Sequence, residues 1–248
     1  NKLVRLKRKV INDIVVLTFQ VKTKGRQGDD KVYSRNPHLL KILPRGCSIF
    51  MDETTKTLIG IMEGPLKFSG KTPVDDDPDD ITNEKLENNK IYDHNEVVSW
   101  AKENELEIVK TEKENGKNVL LRIVEHNGRN LVCAGSKNNH FAIYEEELLN
   151  IDIPTLDAKY DFGNIVCDIF KDIKNQFHIL TRSSFLMEQF SLGYSMVGEL
   201  CDGGHFTYGD GKIRWFGLFK DGLTNNVIEN LEKLSEDLIR SILDISSR

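Results

Sequence analysis

His126-Asn127-Gly128-Arg129, set between the apolar runs Val119 to Val124 and Leu131 to Ala134, constrains the fold of this chain more than any other stretch. Asn and Gly both tolerate positive φ, the backbone that a tight two-residue hairpin turn demands, so a pair of antiparallel strands is expected here. Such a hairpin needs other elements to cover its apolar side chains.

The rest of the sequence offers them. Ile14 to Phe19, within Ile11 to Val21, has the β-branched and aromatic content of a strand, and the polar loop Lys24 to Asp30 follows it. Leu43-Pro44-Arg45-Gly46 turns into Cys47 to Met51, with Thr57 to Met62 as hairpin partner. Tyr194 to Leu200 and Lys212 to Phe219 are strands by composition, with Tyr208-Gly209-Asp210-Gly211 as the turn before the second. Asn95 to Glu105 carries Val97, Val98, Trp100 and Ala101 at helical spacing. Glu145 to Ile151 and Val166 to Phe190 also read as helical, although Val166 to Phe170 suits a strand as well. Val227, Leu231, Leu234, Leu238, Ile242 and Ile245 mark an amphipathic terminal helix. Hairpins interleaved with helices give an α+β fold.

A length of 248 residues suits one sizeable core, or a core with a small subdomain. The sequence divides into a basic N-terminal part, 1–70, an acidic loop, 71–90, and a core, 91–248. The loop is rich in Asp, Asn, Pro and Lys, with almost no apolar residues to bury. The net charge of −5 hides this asymmetry: residues 1–45 hold twelve Lys or Arg against three Asp, a local balance of +9. A basic segment on an acidic chain can meet a phosphate backbone, or be a solvated lysine-rich face. No apolar run is long enough to span a bilayer and the start is unlike a signal peptide, so no membrane partner and a cytoplasmic or nuclear location are expected. Cys47, Cys133, Cys167 and Cys201 form no C-x-x-C pair and read as free thiols.

The chemistry is carried by a lysine just before the hairpin, in Glu112-Lys113-Glu114-Asn115-Gly116. A lysine becomes a nucleophile once desolvation or neighbouring positive charge strips its proton. Gly116 permits a tight turn and close backbone approach, and Asn115 offers an amide for ribose or backbone. By itself a K-x-N-G pattern is more often a surface turn. Gly135-Ser136-Lys137 places a hydroxyl and a cation after the hairpin, suited to ribose or phosphate or simply to a polar loop. His140 beside it reads as a surface histidine. Glu199 stands in the otherwise apolar Val197-Gly198-Glu199-Leu200-Cys201-Asp202, where a carboxylate either binds ribose or a cation or faces solvent on an edge strand. Trp215 and Phe216 offer a ring for a base, or belong to the core.

In their order, Lys113-Glu114-Asn115-Gly116, Gly135-Ser136-Lys137, Gly198-Glu199-Leu200-Cys201-Asp202 and Trp215-Phe216-Gly217-Leu218-Phe219 resemble the covalent nucleotidyltransferase superfamily. They look most like the adenylyltransferase domain of fungal-type tRNA ligases and of phage-type RNA ligases. Pro44-Arg45-Gly46 and Leu66-Lys67-Phe68 resemble that family's upstream strand and approach to the nucleotide. The likeness runs from about residue 43 to 225.

The resemblance implies antiparallel sheets flanked by helices around a nucleotide cleft, and an ATP-dependent RNA ligase acting on RNA ends, tRNA halves among them. Lys113 would be adenylylated, with Glu112, Asn115, Gly116, Ser136 and Lys137 about the nucleotide and Trp215 or Phe216 near the base. Glu199 would contact ribose or metal, with Mg²⁺, or Mn²⁺ in its place, as the ion. End-processing domains or subunits are the further partners it implies. The family's later E-G-x-V and K-x-K strands have no counterpart after Phe219, where only Lys220-Asp221-Gly222-Leu223-Thr224 and the terminal helix follow. Two alternatives therefore stand beside the ligase: a catalytically inactive ligase-like module that binds RNA ends or nucleotide, and a GTP-dependent mRNA capping guanylyltransferase.

Overall fold

A computed structural model of the chain describes residues 3–23, 29–66, 94–105, 116–150, 152–201 and 211–221. The described part is α+β and holds two antiparallel sheets flanked by helices. The first sheet runs β1 (Val4–Ile11), β2 (Ile14–Val21), β3 (Cys47–Asp52) and β4 (Leu58–Met62), in spatial order β1-β2-β3-β4. Between β2 and β3 stand two short helices, α1 (Asp29–Ser34) and α2 (Pro37–Ile42), whose Val32, Tyr33 and Leu39 bury against Val4 and Val21 on the outer face of that sheet.

The second sheet is built on the hairpin read from the sequence. β5 (Lys117–His126) and β6 (Arg129–Ser136) are joined by Asn127 and Gly128, with φ of 54° and 71°. β7 (His140–Tyr144), β8 (Ser195–Cys201) and β9 (Lys212–Phe219) complete the order β7-β6-β5-β8-β9, so β5 lies at the centre.

Helix α3 (His94–Glu103) precedes this sheet. It buries Ala101 but leaves Trp100, counted on its apolar face in the sequence, 58% exposed. The helices α4 (Glu145–Asn150), α5 (Ile153–Tyr160), α6 (Asn164–Arg182) and α7 (Ser184–Ser191) fall between β7 and β8. The run from Val166 to Phe170 is helical, because Val166, Ile169, Phe170, Ile173, Phe177 and Leu180 recur every three or four residues and are all buried. Ser183 breaks the long stretch into α6 and α7, and its hydroxyl caps α7 by accepting the Leu186 amide at 3.2 Å.

One hydrophobic core joins the two sheets and the helices. It includes Ile11, Ile14, Val16, Phe50 and Met62 from the first sheet, Leu120, Ile123, Leu131, Phe141 and Met196 from the second, and Phe170, Phe177, Leu186 and Phe190 from the helices. The acidic loop read over 71–90, the turn 208–210 and the terminal helix lie outside the described residues. Among the described residues no helix is long and apolar enough to cross a membrane.

His140 differs from its sequence reading. It is 1% exposed, not at the surface, with Nδ1 2.6 Å from Ser48 Oγ and 3.4 Å from Thr18 Oγ1. Burial pushes its pKa down to about 3. It is a neutral polar tie between the sheets rather than an acid or base.

Candidate active site

Residues directly opposite each other in antiparallel strands share a face. Asn118 of β5 opposes Glu199 of β8, and Glu199 opposes Arg214 of β9. Asn118, Glu199 and Arg214 thus form one polar row across the second sheet. Lys137 follows Ser136, the last residue of β6, in the turn that leads into β7. The row faces the first sheet, because Leu120, two residues along β5, packs there: a Cβ on Gly46 would fall 2.6 Å from Leu120 Cδ1, and one on Gly64 3.2 Å from Cδ2.

Glu199 is not on an edge strand. β8 lies between β5 and β9, and the carboxylate accepts the backbone N–H of Gly116 at 2.7 Å, a charge-assisted contact. The glycine is required by space: a Cβ on Gly116 would lie 2.6 Å from the Leu200 carbonyl oxygen and 3.1 Å from Glu199 Cβ. The last residue of the K-x-N-G loop is therefore seated directly on the acidic strand. Asn118 Oδ1, in the same row, is buried and has no hydrogen-bond partner among the described residues.

At Lys137 a cavity of about 170 Å³ opens between β2, α1, the turn before β3 and the loop between β6 and β7. Asp29, Arg45 and Lys137 line it. Asp29 is hydrogen-bonded to Lys137 and lies 3.9 Å from Arg45 Nε. Burial alone would raise the Asp29 carboxyl, but Lys137 and Arg45 more than reverse this and hold it below the usual carboxylate value. Arg5 and Lys22 stand at the same cavity, so four cations surround one carboxylate.

Of the residues read as a site, the structure brings Gly116 and Glu199 together and sets Lys137 at the cavity with Asp29 and Arg45; others are separated from them. Ser136 opposes Val119, so it belongs to the helix-covered face of the sheet. Trp215 is on that face too. Its indole N–H donates to Gln176 Oε1 of α6 at 3.0 Å, and Gln176 in turn donates to Asp172, which accepts the Ile213 amide at 2.7 Å. Phe216 sits where the β8–β9 register shifts and is 41% exposed. Glu112, Lys113 and Asn115 lie outside the described residues.

Asn118 and Asp29 were not read from the sequence. Asn118 announces itself only as a polar residue entering an apolar strand, and nothing local to Asp29 indicates a partner 108 positions away at Lys137. Among the described residues no three His, Cys, Asp or Glu gather in a metal-binding group. A single carboxylate still suits Mg²⁺ that is carried largely by substrate phosphates, a buried amide oxygen left without a partner among the described residues suits a ribose hydroxyl, and the cationic cavity suits phosphate. Comparison of the chain with family models, curated proteins and solved structures gives no match.

Proposed function

We propose that this chain is an ATP-dependent RNA ligase domain that works through a lysyl-AMP intermediate on Lys113. The observation that carries this reading is the hydrogen bond from the Gly116 amide to Glu199, which ties the K-x-N-G loop to the acidic strand. Those two stretches are the ones a lysine nucleotidyltransferase needs side by side.

In this reading the neutral Lys113 amine attacks the α-phosphorus of ATP: a P–N bond forms, the P–O bond to pyrophosphate breaks, and the amine proton leaves to solvent. An RNA 5′-phosphate oxygen then displaces the lysine and takes the AMP. An RNA 3′-hydroxyl attacks that phosphate, and AMP departs as the phosphodiester forms. Glu199 holds the loop that presents the lysine, and Asn118 Oδ1 accepts a hydroxyl of the ribose. Lys137 and Arg45 bind phosphate oxygens as fixed charges in a preformed site. When bound, Mg²⁺ spreads phosphate charge and eases the departure of pyrophosphate.

The test is incubation with α-labelled ATP or GTP and Mg²⁺, followed by denaturing electrophoresis. Acid-labile label from ATP is expected on the wild type and is absent from Lys113→Ala. Label from GTP alone makes the chain a capping guanylyltransferase, and no label from either makes it a nucleotide- or RNA-binding module. Joining of 5′-phosphate and 3′-hydroxyl RNA ends by the labelled protein then tests the substrate.

A further inference from the structure

Among the described residues β1 is an edge of the first sheet, and its residues alternate between two environments. Val4 faces α1 and α2. Arg5 and Lys7 face the other way: Arg5 opposes Gln20, whose side-chain amide donates to the Asn138 carbonyl, and Lys7 opposes Thr18, which approaches His140. Lys22 follows on the same side of β2, and Arg5 and Lys22 both open into the cavity with Arg45 and Lys137.

Lys137 and Arg45 share Asp29, and Lys9 is committed to the carbonyls of Tyr160 and Asp161 at 3.3 and 3.0 Å. Arg5, Lys7 and Lys22 have no anionic partner among the described residues. Three cations without an anionic partner among the described residues, two of them at one cavity, leave room there for an external polyanion.

We infer that Lys7, Arg5 and Lys22 carry the backbone of a single-stranded nucleic acid along the edge of β1 and deliver its phosphates to the cavity at Arg45 and Lys137. Alternate residues on a strand recur every ~6.5 Å, close to the interval between phosphates on an extended single strand, so each cation meets its own phosphate. A free nucleotide would fill the cavity without reaching Lys7. A duplex presents two backbones, and only one row of cations stands on this face. The inference takes the identity of the polymer, RNA, from the ligase reading.

The test is fluorescence anisotropy of a 5′-labelled single-stranded RNA across a salt series, with far-UV circular dichroism confirming that each variant is folded. The triple variant Arg5→Gln, Lys7→Gln, Lys22→Gln is expected to bind about tenfold more weakly, with the slope of log affinity against log salt reduced by ~2, three contacts at ~0.7 each. Lys56→Gln, at the far β3–β4 turn, is expected to bind as the wild type does. Wild-type binding by the triple variant overturns the inference, and so does an equal loss in Lys56→Gln. Adenylylation is scored separately. Label on a wild-type chain whose triple variant binds RNA more weakly supports the track alongside the ligase reading. Weakened binding in a chain that never takes label upholds the track and rejects the ligase. A wild type that binds no RNA overturns the track whatever the label shows.

Discussion

Gly116 and Trp215 illustrate what a single residue type reveals before its fold is known. The glycine signalled a close approach, and the structure shows that the approach is to β8, where any side chain would strike the Leu200 carbonyl. The aromatic signal was ambiguous between a base platform and a core residue, because a ring in a strand says nothing of which face it occupies. The register decides: Trp215 opposes Gly198 and turns toward α6. Trp215→Phe should therefore act on stability. It removes the indole donor and leaves Gln176 Oε1 without its partner, a loss of about 1–2 kcal/mol in urea unfolding. Adenylylation by ATP should be unchanged. A variant with wild-type stability and no label would instead put the indole at the nucleotide.

At the scale of elements, legibility followed burial. The β5–β6 hairpin was readable because Asn127-Gly128 fixes the turn and both strands are apolar, and β3, β4, β8 and β9 were readable for similar reasons. β1 was missed: Val4 to Ile11 is an edge strand exposed over much of its length, so its charges obscure the period-two pattern. β7 was missed because it is buried throughout and has no alternation to read, and its first residue, His140, follows a polar turn. That burial predicts a pH effect. The folded value of about 3 lies below the ordinary 6.5, so the unfolded chain takes up a proton that the folded chain refuses. Stability is lost as pH falls from 6.5 toward 3, with a limiting slope of ~1.4 kcal/mol per pH unit; above 6.5 the ring is neutral in both states and adds no slope. Urea unfolding from pH 7.5 to 4 should show a shallower decline for His140→Gln than for the wild type. Parallel curves would remove His140 as the source.

For the whole molecule, the sequence suggests one domain made of a basic N-terminal subdomain, an acidic loop and a core, with a local charge of +9 over residues 1–45. Apolar contacts do not respect the division. Val16, Phe50 and Met62 from one side and Leu120, Ile123 and Phe141 from the other belong to one buried cluster, a continuity no local pattern encodes because it depends on how two sheets meet. Leu120 is the test of that continuity. It is fully buried, reaches Gly46 and Gly64 of the first sheet, and lies two residues from Asn118 in the polar row. Leu120→Ala opens a cavity at the junction and should cost ~2–5 kcal/mol. If the sheets fold as one cooperative unit, tryptophan fluorescence, which includes Trp215 on the second sheet, and far-UV circular dichroism, which averages over both sheets, will report a single coincident transition moved to lower urea. Separated transitions would mean that the first sheet melts independently. The cavity shared by Arg5, Arg45 and Lys137 would then be a contact between two folding units, and its four cations would lose their fixed spacing before the second sheet unfolds.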